Sequence, residues 1–299
     1  MARFIPCADE VGGLQRGKSP TAKLFQTFCE EGHYRGRTVP TGTRQGIYAV
    51  TPSGKLLASW NSRRPDYVAK QMAAALAKWD SMGGAERLPE EALVSGPRPE
   101  DHYPGDGLVL QVFSRDLPRK GGASCDDWRK DAWNIDHLWL SAEEARALAG
   151  GKLPDAASRR LVRLHGRDNV RGQSRTYPEK SIVEAALASA KTTADGGKTT
   201  LRLTGQGAVR QVGRWKINDR HDETAEHVRS FTGSMIGTAI WDGERFTRFD
   251  LAWVGERTGA TQYNGRADDP GPAPMAVVFR LAPKDDRVAP SWFWDYGWR

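Results

Sequence analysis

The chain has 299 residues, 38% of them apolar and 11 of them tryptophan, enough to fill one large core or two ordinary ones. Its net charge of +7 is scattered: +6 over residues 1–84, −5 over 85–150 and +6 over 151–299. That is the pattern of a solvated surface, and it argues against nucleic-acid binding, which needs clustered basic charge.

The opening stretch MARFIPCADE lacks the basic-then-apolar pattern of a signal peptide, and no later apolar run is long enough to span a bilayer, so a soluble cytoplasmic chain is expected. Arg3 to Ala8 reads as a short strand. Ser19-Pro20 then opens a helix, with serine as cap and proline at the first position, and Gly32 ends it. Leu24, Phe25 and Phe28 form its apolar face. A polar stretch over 33–45 leads to the sharpest local pattern in the chain, Gln45 to Trp79. Ile47 to Val50 and Leu56 to Trp60 read as two strands joined by a turn at Thr51-Pro52-Ser53-Gly54. Pro65 starts a helix in which Val68, Met72, Ala75, Leu76 and Trp79 recur on one face. Gly83-Gly84 stop it.

GIYAVTPSGKLLASW followed by RPDYVAKQMAAALAKW resembles the final hairpin and last helix of thioredoxin-like proteins, and RFIPCA matches the central strand before them. The likeness spans about residues 1–82. It implies a thioredoxin-like scaffold, but two marks of the redox members are missing. Cys7, Cys29 and Cys125 form no CxxC, and the position of the usual cis-proline falls near Gln45, with Pro40 too far upstream. Thiol exchange needs an activated cysteine and a resolving partner, so a non-redox module is expected. The usual first strand and helix are also absent. Either the module is trimmed, or the gene starts upstream of Met1, where a CxxC would make the protein an oxidoreductase.

Residues 85–107, rich in proline, glycine and acid, read as a linker between a 1–84 module and a 108–299 module. Leu108 to Phe113 is a strand running into a loop dense in charge and tryptophan. Ser141 and Glu144 form a capping box, with Gly150 closing the helix. Further helices are expected over about Asp155–Asn169 and Glu179–Lys191. Strands follow over Thr199–Leu203, Val209–Asn218, Ser230–Ile240, Arg245–Val254 and Met275–Leu281. Gly205-Gln206-Gly207 reads as a turn between strands and Asp242-Gly243 as a hairpin. SWFWDYGWR reads as a strap over an apolar groove. The class is therefore α+β: a partial thioredoxin-like domain of strand, helix, hairpin and helix, then a larger β-rich domain.

Candidate chemistry gathers in the second module. Asp136-His137 reads as an acid/base pair or a metal ligand, with Arg115 and Arg119 holding an anion beside Trp128 and Trp133. The alternative is a tryptophan-anchored loop whose charges pair with one another. On a helix, Leu161, Leu164, His165 and Asp168 share a face, so His165 and Asp168 join His137 as ligands of a divalent metal. Otherwise His165 belongs to the core and Asp168 pairs with Arg171. The expected role is binding or structural, without a cofactor, toward a protein or small-molecule ligand. The rival is a metal-assisted hydrolase acting through Asp136, His137, His165 and Asp168, with His137 and His165 on the metal and Arg115, Arg119, Trp128, Trp133 and Arg171 around the ligand.

Overall fold

The computed structural model describes residues 3–5, 11–33, 44–62, 64–83, 99–119, 131–217, 224–286 and 288–298. The chain forms two compact units, Met1–Arg98 and Pro99–Arg299. Helices and a large antiparallel sheet make the class α+β. No helix among the described residues is long and apolar enough to cross a membrane.

In the first unit, α1 (Val11–Arg16) precedes α2 (Pro20–Glu31). The Ser19 hydroxyl accepts the Ala22 amide at 3.1 Å, satisfying one of the free donors at a helix start. Strands β1 (Ile47–Val50) and β2 (Leu56–Trp60) form a two-stranded antiparallel hairpin. Its turn closes by the Gly54 amide on the Thr51 carbonyl, at a φ of 80° that only glycine adopts cheaply. Helix α3 (Pro65–Ser81) buries Ala75, and Val68 and Met72 pack with Ala49, Trp60 and Phe4. The strand expected at Arg3–Ala8 is not formed at Arg3–Ile5, and residues 6–8 lie outside the described residues.

The second unit is a seven-stranded antiparallel sheet of order β4-β3-β9-β8-β7-β6-β5. Its strands are β3 (Leu108–Asp116), β4 (Trp133–Leu140), β5 (Ile182–Asp195), β6 (Lys198–Trp215), β7 (Ala225–Trp241), β8 (Phe246–Thr258) and β9 (Ala273–Leu281). Two helices, α4 (Ala142–Ala149) and α5 (Asp155–His165), lie against the inner face. Leu203, Phe231, Met235, Leu251, Trp253, Val277 and Phe279 form one core with Leu148, Leu161 and Leu164 from those helices. The C-terminal Phe293 and Tyr296 are buried in the same core, with Trp292 and Trp298 packed on it. The capping box is complete, since Ser141 Oγ accepts the Glu144 amide while Glu144 returns a bond to the Ser141 amide.

Three expected elements differ. Residues 182–195 are a strand rather than a helix, because they pair with β6 along their length and bury Leu187; long-range pairing overrides the helix propensity of an alanine-rich run. Residues 133–140 are a strand rather than loop, pairing with β3 from Arg115↔Trp133 to Leu108↔Leu140. Gly205-Gln206-Gly207 lies inside β6 rather than in a turn. There a Cβ on Gly205 would stand 2.3 Å from the Ala186 carbonyl, and one on Gly207 2.4 Å from the Trp253 ring. These glycines mark close approach within a sheet.

Candidate functional site

Because side chains alternate along a strand, neighbours on β4 point to opposite faces of the sheet. Asp136 turns inward and His137 outward, so the two do not act on one ligand.

Asp136 is buried and well bonded. Its Oδ1 accepts the His137 amide at 2.8 Å, the Ser291 amide at 2.8 Å and the Ser291 hydroxyl at 2.9 Å. Its Oδ2 faces Arg167 at 3.3 Å and His165 Nδ1 at 3.7 Å. The Arg167 guanidinium also donates to the Leu164 and Ser174 carbonyls and lies over the Trp292 ring. Burial lowers the Arg167 pKa to about 10 and the His165 pKa to about 4; Arg167 and Arg160 push His165 further down and Asp136 holds it up. His165 is therefore neutral at pH 7. Its Nε2 and the Ser114 hydroxyl are buried without a hydrogen-bond partner. Both residues line a cavity of about 10 Å³ with Asn134, Asp136, Arg167 and Asn169, room for a single water.

On the other face, His137 Nε2 meets Asp286 Oδ2 at 2.9 Å. Gln111 donates to the same oxygen at 2.6 Å, and the Tyr103 hydroxyl to the Asp286 carbonyl at 3.1 Å. Burial pushes the Asp286 carboxyl up, but the bonds from His137 and Gln111 outweigh it and leave its pKa lowered. His137 thus ties the segment after β9 to the sheet.

Asp168 lies beyond the end of α5, in a third place. Two of its oxygens accept from Arg266 at 2.7 and 3.0 Å, and Arg266 also holds both oxygens of Asp116, at 2.7 and 2.8 Å. Arg257 donates to Asp269 at 2.8 Å, and Arg119 meets Asp269 at 2.9 Å. Arg171 does not pair with Asp168: it reaches Asp116 and Asp269, each at 3.0 Å. Arg257 and Arg266 are 1% and 0% exposed, so this is an interior ion cluster. Burial opposes the charges, yet the bonds from Arg266 lower the Asp116 pKa, and those to Asp116 and Asp168 raise that of Arg266.

The expected site is therefore dispersed. Asp136 and His165 come together, His137 sits across the sheet, and Asp168 with Arg119 and Arg171 belongs to the ion cluster. Among the described residues no group of three or more His, Cys, Asp or Glu side chains is placed to hold a metal ion. Of the ligand residues, Arg115 and Trp133 face each other in register on the outer face, both exposed, with Arg115 3.9 Å from Asp131. Trp128 lies outside the described residues, as do Cys7, Cys125 and Pro40. Sequence reasoning missed Ser114, Arg167, Ser291, Arg257, Arg266 and Asp269. The one signal available was that Arg257, Arg266, Asp268 and Asp269 fall within 13 residues of one connection. No protein-family model, characterised protein or solved structure matches the chain.

Proposed function

We propose that this chain is a two-unit binding protein whose thioredoxin-like N-terminal part is a non-redox frame and whose ligand surface is the outer face of the second unit, around Arg115 and Trp133. The observation that carries the proposal is that the four reactive side chains fall in three places, with only Asp136 and His165 together. Asp136 and His137 point away from each other, and Asp168 is spent on Arg266. Charged groups that hold segments together cost much to redeploy on a substrate. Arg115 and Trp133 stay exposed, and Arg115 has only a long, solvent-exposed approach of 3.9 Å to Asp131.

Cys29 supports the non-redox part. It is 0% exposed, its Sγ lies 3.3 Å from the Tyr48 hydroxyl, and burial raises its pKa. A protonated, enclosed thiol is a poor nucleophile.

A hydrolase is the second reading, favoured by one observation: His165 Nε2 and Ser114 Oγ stand unbonded beside one cavity, with Asp136 behind the histidine. In that reading a divalent metal would draw on His137 or His165. Ester, phosphoester and amide reporters assayed with the parent and His165→Gln, with and without added zinc or manganese, separate the two. Background rates in both proteins are expected. A turnover lost in His165→Gln overturns the binding role.

A further inference from the structure

An antiparallel sheet with one packed face ordinarily shows polar side chains on the other. The outer face here departs from that. Read across by Cα register, Ile135, Phe113, Val278, Ala252 and Ile236 form one row over five adjacent strands, β4 to β7. The next row holds Trp133, Arg115, Ala276, Val254 and Ser234. Ile236 is 59% exposed, Val254 45%, Ile135 43% and Val278 39%, and Trp133 at 59% tilts against Phe113 with ring centres 6.0 Å apart. Single exposed apolar residues are ordinary, whereas a contiguous band marks a contact surface.

The row on the other side of the band is His137, Gln111, Arg280, Asp250, Thr238 and Arg202. Asp250 is taken by Arg248 at 2.6 Å. Arg202 and Arg280 are exposed and enter no ion pair among the described residues. Arg115 lies 3.9 Å from Asp131, and Asp286 sits over Gln111 and His137, so the charges that remain without an ion pair within the three rows are Arg202 and Arg280. Glu256 stands one row further out, beside Pro274.

We propose that this face docks an amphipathic acidic helix of a protein partner, its apolar stripe on the Ile135–Ile236 row and its carboxylates toward Arg202 and Arg280. The proposal rests on the binding role given above and names the partner's chemistry. The dimensions agree: four inter-strand spacings of about 4.8 Å make a band of about 19 Å, the length of a helix of about 13 residues. The inner face of the same sheet already accepts helices in this way. A second copy of the chain fits less well, since it would bring the same unpaired arginines against these.

Fluorescence anisotropy on the full chain tests it, with a labelled helical peptide carrying one leucine stripe flanked by glutamates. The same pattern built with lysine, and oligouridylate, serve as controls. The glutamate peptide is expected to bind, and its affinity to fall at least about tenfold in Ile236→Ser/Val254→Ser and in Arg202→Glu/Arg280→Glu. All four positions are exposed, so the variants should melt like the parent. Parent affinity in both double variants overturns the surface. Preference for the lysine peptide or oligouridylate, lost in the same variants, overturns the acidic helix and leaves a binding role standing. A parent dimer in sedimentation that Ile236→Ser/Val254→Ser dissociates overturns it in favour of a second copy. Absence of binding by every probe also overturns it, while the broader binding role falls only to turnover in the hydrolysis assay.

Discussion

Asp116 reports the residue scale best, because three arginines act on one carboxylate. Burial would raise its pKa, and Arg266, Arg171 and Arg257 bring it below the ordinary value. A carboxylate lowered on folding adds stability in full above its unfolded pKa of about 3.9, and that share is lost as pH falls through the folded value. Asp116→Asn is therefore expected to cost about 3 kcal/mol at pH 7, as for a broken interior pair, and the gap from the parent should close in acid below about pH 4. Urea unfolding across that range measures both. His165 has the opposite consequence. The unfolded chain takes up its proton from about pH 6.5 downward, while burial keeps the folded side chain neutral to about 4, so this histidine subtracts stability as pH falls between them. His165→Gln should flatten that slope, by roughly 3 kcal/mol over the interval at 1.36 kcal/mol per unit. A parent whose stability is flat from pH 6.5 to 4 refutes the buried neutral histidine.

At the scale of elements, the sheet depends on glycine where strand and core crowd each other. Gly207 lies in β6 with the Trp253 ring where its Cβ would be, and Trp253 is 0% exposed. Gly207→Ala forces that ring to move in a filled core and is expected to cost about 1–3 kcal/mol. Gly105→Ala, with nothing within 4 Å of the new Cβ, is the control and should leave the melting temperature in place. The pair also explains why glycine misled the reading of residues 205–207. The residue that suits a turn also suits a strand under a large side chain, and only the neighbour distinguishes the two. The β5–β6 connection shows the converse: Gly196 and Gly197 have φ of 55° and 78°, a two-residue hairpin turn.

For the whole molecule, the cores differ greatly. The first unit buries Ala49, Trp60 and Ala75 in one small cluster, whereas the second closes a single core from Leu108 to Tyr296. The Pro99–Arg299 segment expressed alone should therefore unfold in one cooperative thermal transition near that of the second unit in the full chain. A fragment lacking near-ultraviolet signal from its tryptophans refutes that independence. The outer sheet face belongs to this scale as well, since its band exists only when five strands lie in register.

What the sequence determined by itself was local. The Ser19 cap, the Thr51–Gly54 turn, the Pro65 start and the Ser141–Glu144 capping box each depend on residues within a few positions, and all of them form. The strands expected over Ser230–Ile240, Arg245–Val254 and Met275–Leu281 fall on β7, β8 and β9. Tertiary structure decided the rest. Whether residues 182–195 coil or extend depends on β6 beside them, and whether Asp136 and His137 cooperate depends on which face β4 presents. Asp168 finds Arg266, 98 residues away, rather than Arg171 three positions on, and Arg266 joins Asp116 across 150. Charge pairs in an interior are chosen by desolvation and geometry, and neither is written in the spacing of residues along a chain.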